Sequence, residues 1–196
     1  MKDNLKNRNK CNSLIRFCAS GLLHLNPKRL IFINAMASSV SLMSHANAFE
    51  KDIIRTAYHS LARASELRRL KISDCDFTNG KVWFYTRKRQ GGSLEGDKID
   101  INKSLREILY RRCKLIDSEY VFPEPDGTRL KKNSLDKIMP RLCHKINFDS
   151  NNKPKPRKEQ IKPFGLHSIR HHVAANLFMN YNYSVYEVKN GINLVL

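Results

Sequence analysis

Four basic side chains have the types and spacing to act together on a phosphate: Arg63 in "SLARASEL", Lys88 in "YTRKRQGG", and His167 with Arg170 in "GLHSIRHH". His167 and Arg170 stand three residues apart in a stretch of helical pattern, so both leave one face and can engage one ligand. Arginine presents a planar fork that matches two phosphate oxygens, whereas a lysine on a hairpin tip acts as a movable point charge and proton donor. Two arginines, a lysine and a histidine therefore suit the stabilisation of phosphoryl transfer. Taken singly, each has a plainer reading: an arginine near Ser-Glu-Leu is ordinarily a solvated helix residue, and a lysine in a basic run contacts phosphates without specificity. His167 and His171 have a spacing that suits zinc on a helix, but Arg170 on the same face repels a cation, so no metal is expected.

The elements that must position these residues are legible in outline. Phe49, Ile53, Ile54, Ala57 and Leu61 recur at helical spacing, and "SELRRLKI" follows as a second helical run with Ser65 as its N-cap. Asn79-Gly80 is a turn signal, Val82 to Thr86 reads as a strand, and Gln90-Gly91-Gly92 turns the chain before Lys98 to Ile101 returns. This predicts a small antiparallel sheet with a basic hairpin tip, in which Trp83, Phe84 and Tyr85 pack into the core rather than form a base-stacking platform. Ser104 is expected to cap a helix whose stripe is Leu105, Ile108, Leu109 and Leu115. "SLDKIMPRLCHKI" reads as a helix bent at Pro140, residues 147–163 as an exposed linker, and Ile169, Val173, Leu177 and Phe178 as the buried side of a further helix. A last short helix is expected from Ser184 to Lys189. Residues 1–46 show no sustained period and are left unassigned. The predicted fold class is mainly α with a small antiparallel sheet, an α+β architecture over residues 47–196.

The chain's 196 residues hold 36 Lys+Arg against 18 Asp+Glu, a formal net charge of +18. Only 7 basic and 2 acidic residues fall in the first 50, so the excess belongs to the whole chain and not to a detachable basic tail. A basic folded surface of this kind points to a polyanionic partner, nucleic acid before any other. The 41% hydrophobic content excludes wholesale disorder. Cys11, Cys18, Cys75, Cys113 and Cys143 form no CxxC pair and read as reduced thiols, which fits a cytoplasmic protein. The apolar stretch from Leu30 to Met43 is interrupted by Asn34 and serines and is too short to span a bilayer, so no membrane partner is expected. Its "SHANAFE" end has the look of a signal-peptide cleavage site, but some thirty residues precede the stretch, and a signal is not expected.

"SLARASELRRLKISDCDF" resembles the first arginine box of the phage integrase family, the tyrosine recombinases, and "HSIRHH" is similar to that family's His-x-x-Arg box. A basic hairpin lies between them, where the family keeps its active-site lysine. The resemblance extends over Ala48 to Gly191, and two motifs plus a hairpin in the family's order are more specific than either motif alone. It implies that Arg63 and Arg170 clamp the nonbridging oxygens of a scissile phosphate, that His167 hydrogen-bonds the same phosphate, and that Lys88 donates a proton to a departing 5′ hydroxyl. It further implies that Glu66 orients Arg63, and that Arg87, Arg89 and His171 contact DNA beside the centre. No cofactor or small-molecule substrate is implied. The partners it implies are double-stranded DNA and, beside it, other recombinase subunits.

One part of the family pattern is missing. The nucleophilic tyrosine of these enzymes follows a Gly-His or Gly-Trp box, whereas "VKNGINLVL" places Ile192 after Gly191 and has no later tyrosine. Tyr181, Tyr183 and Tyr186 all precede Gly191. The sequence thus reads as an integrase-like catalytic domain, cut short before its nucleophile, without the domain that closes the other half of the family's DNA clamp, and inactive as it stands. The alternative reading is a nonenzymatic DNA-binding protein that modulates recombination by an intact recombinase. A generic RNA-binding protein is the least favoured, because no RNA-recognition aromatic motif is present.

Overall fold

The chain's structure is a computed structural model that describes residues 40–87 and 92–180. Among these residues there are six α-helices and one small sheet: α1 (Val40–His45), α2 (Ala48–Ser60), α3 (Ala64–Leu67), α4 (Lys103–Leu115), α5 (Lys132–Ile146) and α6 (Leu166–Asn180). The sheet has the order β1-β2-β3, all antiparallel, with β1 at Cys75–Asp76, β2 at Lys81–Arg87 and β3 at Leu94–Asp100. The predicted α+β class is the observed one. The helix α1 lies in a stretch where the sequence shows no period.

α2 is the hub. It packs against α4 and α6, and α3 in turn packs on β2 and α5. Asn47 starts α2 with a reciprocal capping box: its side chain accepts from the Glu50 amide at 2.9 Å, and Glu50 accepts from the Asn47 amide at 2.9 Å. Ile53, Ile54 and Ala57 then face the core with Leu105, Ile108 and Leu109 of α4 and Ile169, Val173 and Leu177 of α6, all buried. Two acidic residues of α2 are buried with them. Glu50 pairs with Arg141 of α5, and Asp52 accepts from Arg111 of α4 at 2.6 Å. These ion pairs fix α2 against the helices on either side of it.

Several local expectations are corrected. The short helix α3 begins at Ala64 with Arg63 as its N-cap, so Ser65 lies inside it. α4 is capped by Asn102, whose Oδ1 accepts from the Leu105 amide at 2.8 Å, and Ser104 again lies two residues past the true cap, inside the helix. Leu115, at the end of α4, is 71% exposed and no part of the buried stripe. In β2 the alternation buries Val82, Phe84 and Thr86 against the helices and turns Trp83 outward, 36% exposed beneath the Lys98 ammonium. Tyr85, on Trp83's side, is half-buried and packs over Gly96, where an added Cβ would come within 2.9 Å of its ring. Gly80 takes φ +63° at the turn that the Asn-Gly pair predicts.

Pro140 lies within α5, near its middle. Residues 147–163 are mostly exposed, as expected, but the segment is pinned at both ends: Asn147 donates from Nδ2 to the Ile161 carbonyl at 2.8 Å and accepts the Ile161 amide at 2.7 Å. The helix expected at Ser184 to Lys189 and the side chain of Phe178 lie outside the described residues. No helix among those described is long and apolar enough to cross a membrane.

Candidate active site

The site forms where the end of α2, the start of α3 and the first turns of α6 meet. α2 ends at Leu61, whose backbone adopts the left-handed conformation at φ 55°, an uncommon choice for a leucine. The reversal delivers Arg63 to the head of α3. There Glu66, almost fully buried, reaches back to accept both the Arg63 amide at 2.6 Å and its Nη1 at 2.7 Å. One carboxylate thus closes the helix terminus and aims the guanidinium, which stays about half exposed.

α6 supplies the opposite side. Its buried residues Ile169, Val173 and Leu177 set the rotation of the helix, and Arg170 is turned by that rotation toward the Leu61 reversal, where it donates through Nη1 to the Leu61 carbonyl. Arg170 is half-buried. Burial first, and then the positive charge of Arg63, lower its pKa, while Glu66 and Asp97 of β3 act in the opposite sense. His167 lies one turn earlier, on the surface, and with Arg63 lines a pocket of about 280 Å³. Its imidazole is held below the ordinary histidine value, by desolvation first and then by His171, Arg170 and Arg63. Nε2 of His171 stands 2.7 Å from Nε2 of His167, so the two rings share a proton-mediated contact with each other. Among the described residues no cluster of three or more His, Cys, Asp or Glu side chains is arranged to hold a metal ion.

Of the residues expected from the sequence, the structure brings together Arg63, Glu66, His167, Arg170 and His171. Arg87 ends β2, exposed at the base of the hairpin. Lys88 and Arg89 lie outside the described residues. Sequence reasoning missed Arg68, Lys132 and Asp136, which line the same pocket. Arg68 is anchored by donating from Nε to the Leu130 carbonyl at 2.7 Å. Only the run of cations in "SELRRL" hinted at it, and the approach of the start of α5 is a tertiary event with no local signature.

Concentrated positive charge on an open face, with buried carboxylate support behind it, can hold a phosphodiester and offset added charge on it. The architecture that holds this site, a helical body with a three-stranded antiparallel sheet between the two arginine segments, is that of the tyrosine recombinase catalytic domain. The chain belongs to the phage integrase family, whose model matches residues 30–186. Among solved structures, it is similar to the Tn1549 transposon integrase in complex with transposon right end DNA, at 20% identity and a TM-score of 0.59, over 80% of this chain and 56% of that one. A lambda integrase dimer bound to a core site matches at 15% identity and a TM-score of 0.55, over 86% of this chain and 56% of the other. XerA recombinase matches at 16% identity and a TM-score of 0.52, over 77% and 56%. The chain thus spans a little over half the length of these structures. A search of curated proteins found no significant match.

Proposed function

We propose that this chain binds double-stranded DNA at a recombination site and holds one phosphodiester at the centre formed by Arg63, His167 and Arg170. The observation that carries the proposal is the convergence of these three side chains at one face, where the charge of Arg63 disfavours charge on Arg170 and both arginines disfavour it on His167. Such an arrangement is unfavourable alone and is relieved by an anion. Arg63 and Arg170 take the nonbridging oxygens, Glu66 keeps Arg63 in position, and His167 hydrogen-bonds the phosphate. Lys88, in the chain segment between β2 and β3, protonates the departing 5′ hydroxyl in a complete recombinase centre. Arg87, Arg89 and His171 add phosphate contacts that position the duplex without reading its sequence.

We further propose that these 196 residues, tested as they stand, bind the phosphodiester without forming a covalent link to it. Tyr181, Tyr183 and Tyr186 all precede Gly191, and the sequence has no tyrosine after it. The same fact favours a second reading, in which the chain occupies recombination sites beside intact recombinase subunits and modulates them. Binding to a labelled duplex tests the first proposal: affinity is expected to fall at least about tenfold between about 50 and 200 mM salt, and to drop in the Arg63→Ala, Arg170→Ala double variant. Salt-insensitive binding, or an unchanged double variant, would sink it. Trapping on a nicked duplex tests the second, and a protein–DNA adduct resistant to denaturant would overturn it.

A further inference from the structure

Away from the phosphate site, β1 and α4 meet along a single stripe. Arg106, Tyr110 and Cys113 are spaced four and then three residues apart and so share one face of α4. Each touches the β1 segment in turn. Arg106 donates from Nη1 to the Phe77 carbonyl at 2.7 Å, the Tyr110 ring stands edge-on to Phe77 with centroids 5.4 Å apart, and Cys113, one turn further along the same face, comes against Cys75, whose own thiol donates to the Lys71 carbonyl at 3.8 Å. Two free thiols from elements well separated in sequence are therefore side by side, and both are partly accessible to solvent.

Their surroundings divide the labour between them. The contact with Cys113, together with burial, pushes the Cys75 thiol well up, so it keeps its proton. The contact with Cys75 and the adjacent Arg112 guanidinium hold Cys113 below the ordinary thiol value. A low-pKa thiol with a protonated neighbour in contact is the arrangement of an attacking and a resolving cysteine. Cys143, by contrast, is buried and is pushed up by that burial.

We propose that Cys75 and Cys113 form a redox site at which a peroxide-class oxidant generates an intrachain disulfide. The Cys113 thiolate attacks one peroxide oxygen, the O–O bond breaks, and Cys113 becomes a sulfenic acid while the other oxygen leaves as water after taking a proton. The Cys75 sulfur then attacks the Cys113 sulfur and displaces the hydroxyl, which leaves as a second water carrying the Cys75 proton. Two thiols lose two electrons, and one hydrogen peroxide is reduced to two waters. A dithiol reductant reverses the reaction by exchange. The bond joins β1 to α4 and closes a loop that contains β2 and β3, so it fastens the sheet to the helical body without touching Arg63 or Arg170.

The experiment uses the full chain, reduced, desalted, exposed to hydrogen peroxide, then blocked with iodoacetamide and digested. The expected result is a loss of two hydrogens in intact mass and a linked peptide pair holding Cys75 and Cys113. Dithiothreitol should reverse both, and the oxidised form should melt about 5 °C or more higher than the reduced one. Recovery of both cysteines as alkylated or over-oxidised single peptides would overturn the proposal, as would a link that runs to Cys143 instead. Cys75→Ser and Cys113→Ser must each abolish the mass loss, and their melting under reducing conditions, compared with the reduced parent, separates lost chemistry from lost folding.

Discussion

Arg170 of α6 donates a hydrogen bond through Nη1 to the carbonyl oxygen of Leu61, the left-handed residue that ends α2. The contact spans 109 residues of chain and ties the His-x-x-Arg helix to the turn that presents Arg63. A leucine in this backbone region costs roughly 1–2 kcal/mol. The cost is held in place by burial of its side chain and by the guanidinium on its carbonyl. Both arginines are thereby referred to one corner, which sets the relative position of the two groups proposed to meet the phosphate.

Arg170→Lys should therefore behave nearly as badly as Arg170→Ala in DNA binding. An ammonium cannot hold the Leu61 carbonyl and also present a planar fork to two phosphate oxygens. A loss of about tenfold or more in duplex affinity is expected for both variants, corresponding to at least about 1.4 kcal/mol. Titration at fixed salt checks it, and full activity of the lysine variant in binding would show that the fork is not used.

Glu66→Ala removes the acceptor for the Arg63 amide and the partner of its guanidinium in one step. The expected destabilisation is about 1–2 kcal/mol. Glu66→Gln keeps an acceptor oxygen for the backbone and should lose about half as much. Urea melts measure the difference, and equal losses for the two variants would place the effect on the ion pair and not on the helix cap.

His167 supplies a pH dependence whose sign differs between folding and binding. Its pKa, like those of half-buried His59 and buried His172, lies below the ordinary 6.5, so the folded chain binds fewer protons than the unfolded one as the pH falls through that value. Their contribution to stability is complete above about pH 6.5 and is lost progressively below it. A bound phosphate reverses the preference at His167 alone, because an anion favours the imidazolium. DNA affinity should rise as the pH falls through the same range, while the melting temperature drops. His167→Asn should flatten the affinity profile and leave most of the stability slope. A wild-type affinity that does not change with pH would mean that His167 does not meet the phosphate.

Arg111→Ala strands the Asp52 carboxylate, which is 2% exposed and already has one oxygen without a hydrogen-bond partner. Because Arg111 itself is half exposed, the loss is expected at about 2–3 kcal/mol, below that of a fully buried pair. Asp52→Asn, which removes the charge but keeps an acceptor, should cost less. Thermal melts of the two variants side by side decide the order.

The parts of this fold that were legible in the sequence are those whose periodicity expresses burial. Ile53, Ile54 and Ala57 in α2 and Ile169, Val173 and Leu177 in α6 are spaced for one face and are buried on it. Boundaries were not, because two good cap residues, Ser65 and Ser104, stand within reach of each true one. At α3 the closing hydrogen bonds come from Glu66 reaching backward and not from a cap side chain, which leaves no Ser, Thr or Asn signal at Arg63. β1 has only two residues and no pattern to read. Trp83 and Leu115 are apolar but exposed, since strand alternation and the end of α4 carry them away from the core. The cluster of Arg63, Glu66, His167 and Arg170 was legible through motif spacing. The approach of Arg68, Lys132 and Asp136 depends on how α5 docks, which spacing along the chain does not encode.

Asn147 and Ile161 pair through both the donor and the acceptor of one side-chain amide, much as two residues pair across an antiparallel ladder. Of the thirteen residues between them, Phe148 stacks on His144 of α5 and bridges Pro154, and Lys155 donates back to the Asn147 carbonyl, while residues 149–153 form a turn around the Asp149 carboxylate. Because the staple lies at the neck of this excursion, its tip can change in length and composition while α6 keeps its place. The neck separates an exposed excursion from the frame that carries the arginines, which makes the tip a point at which a foreign segment can be grafted without disturbing them.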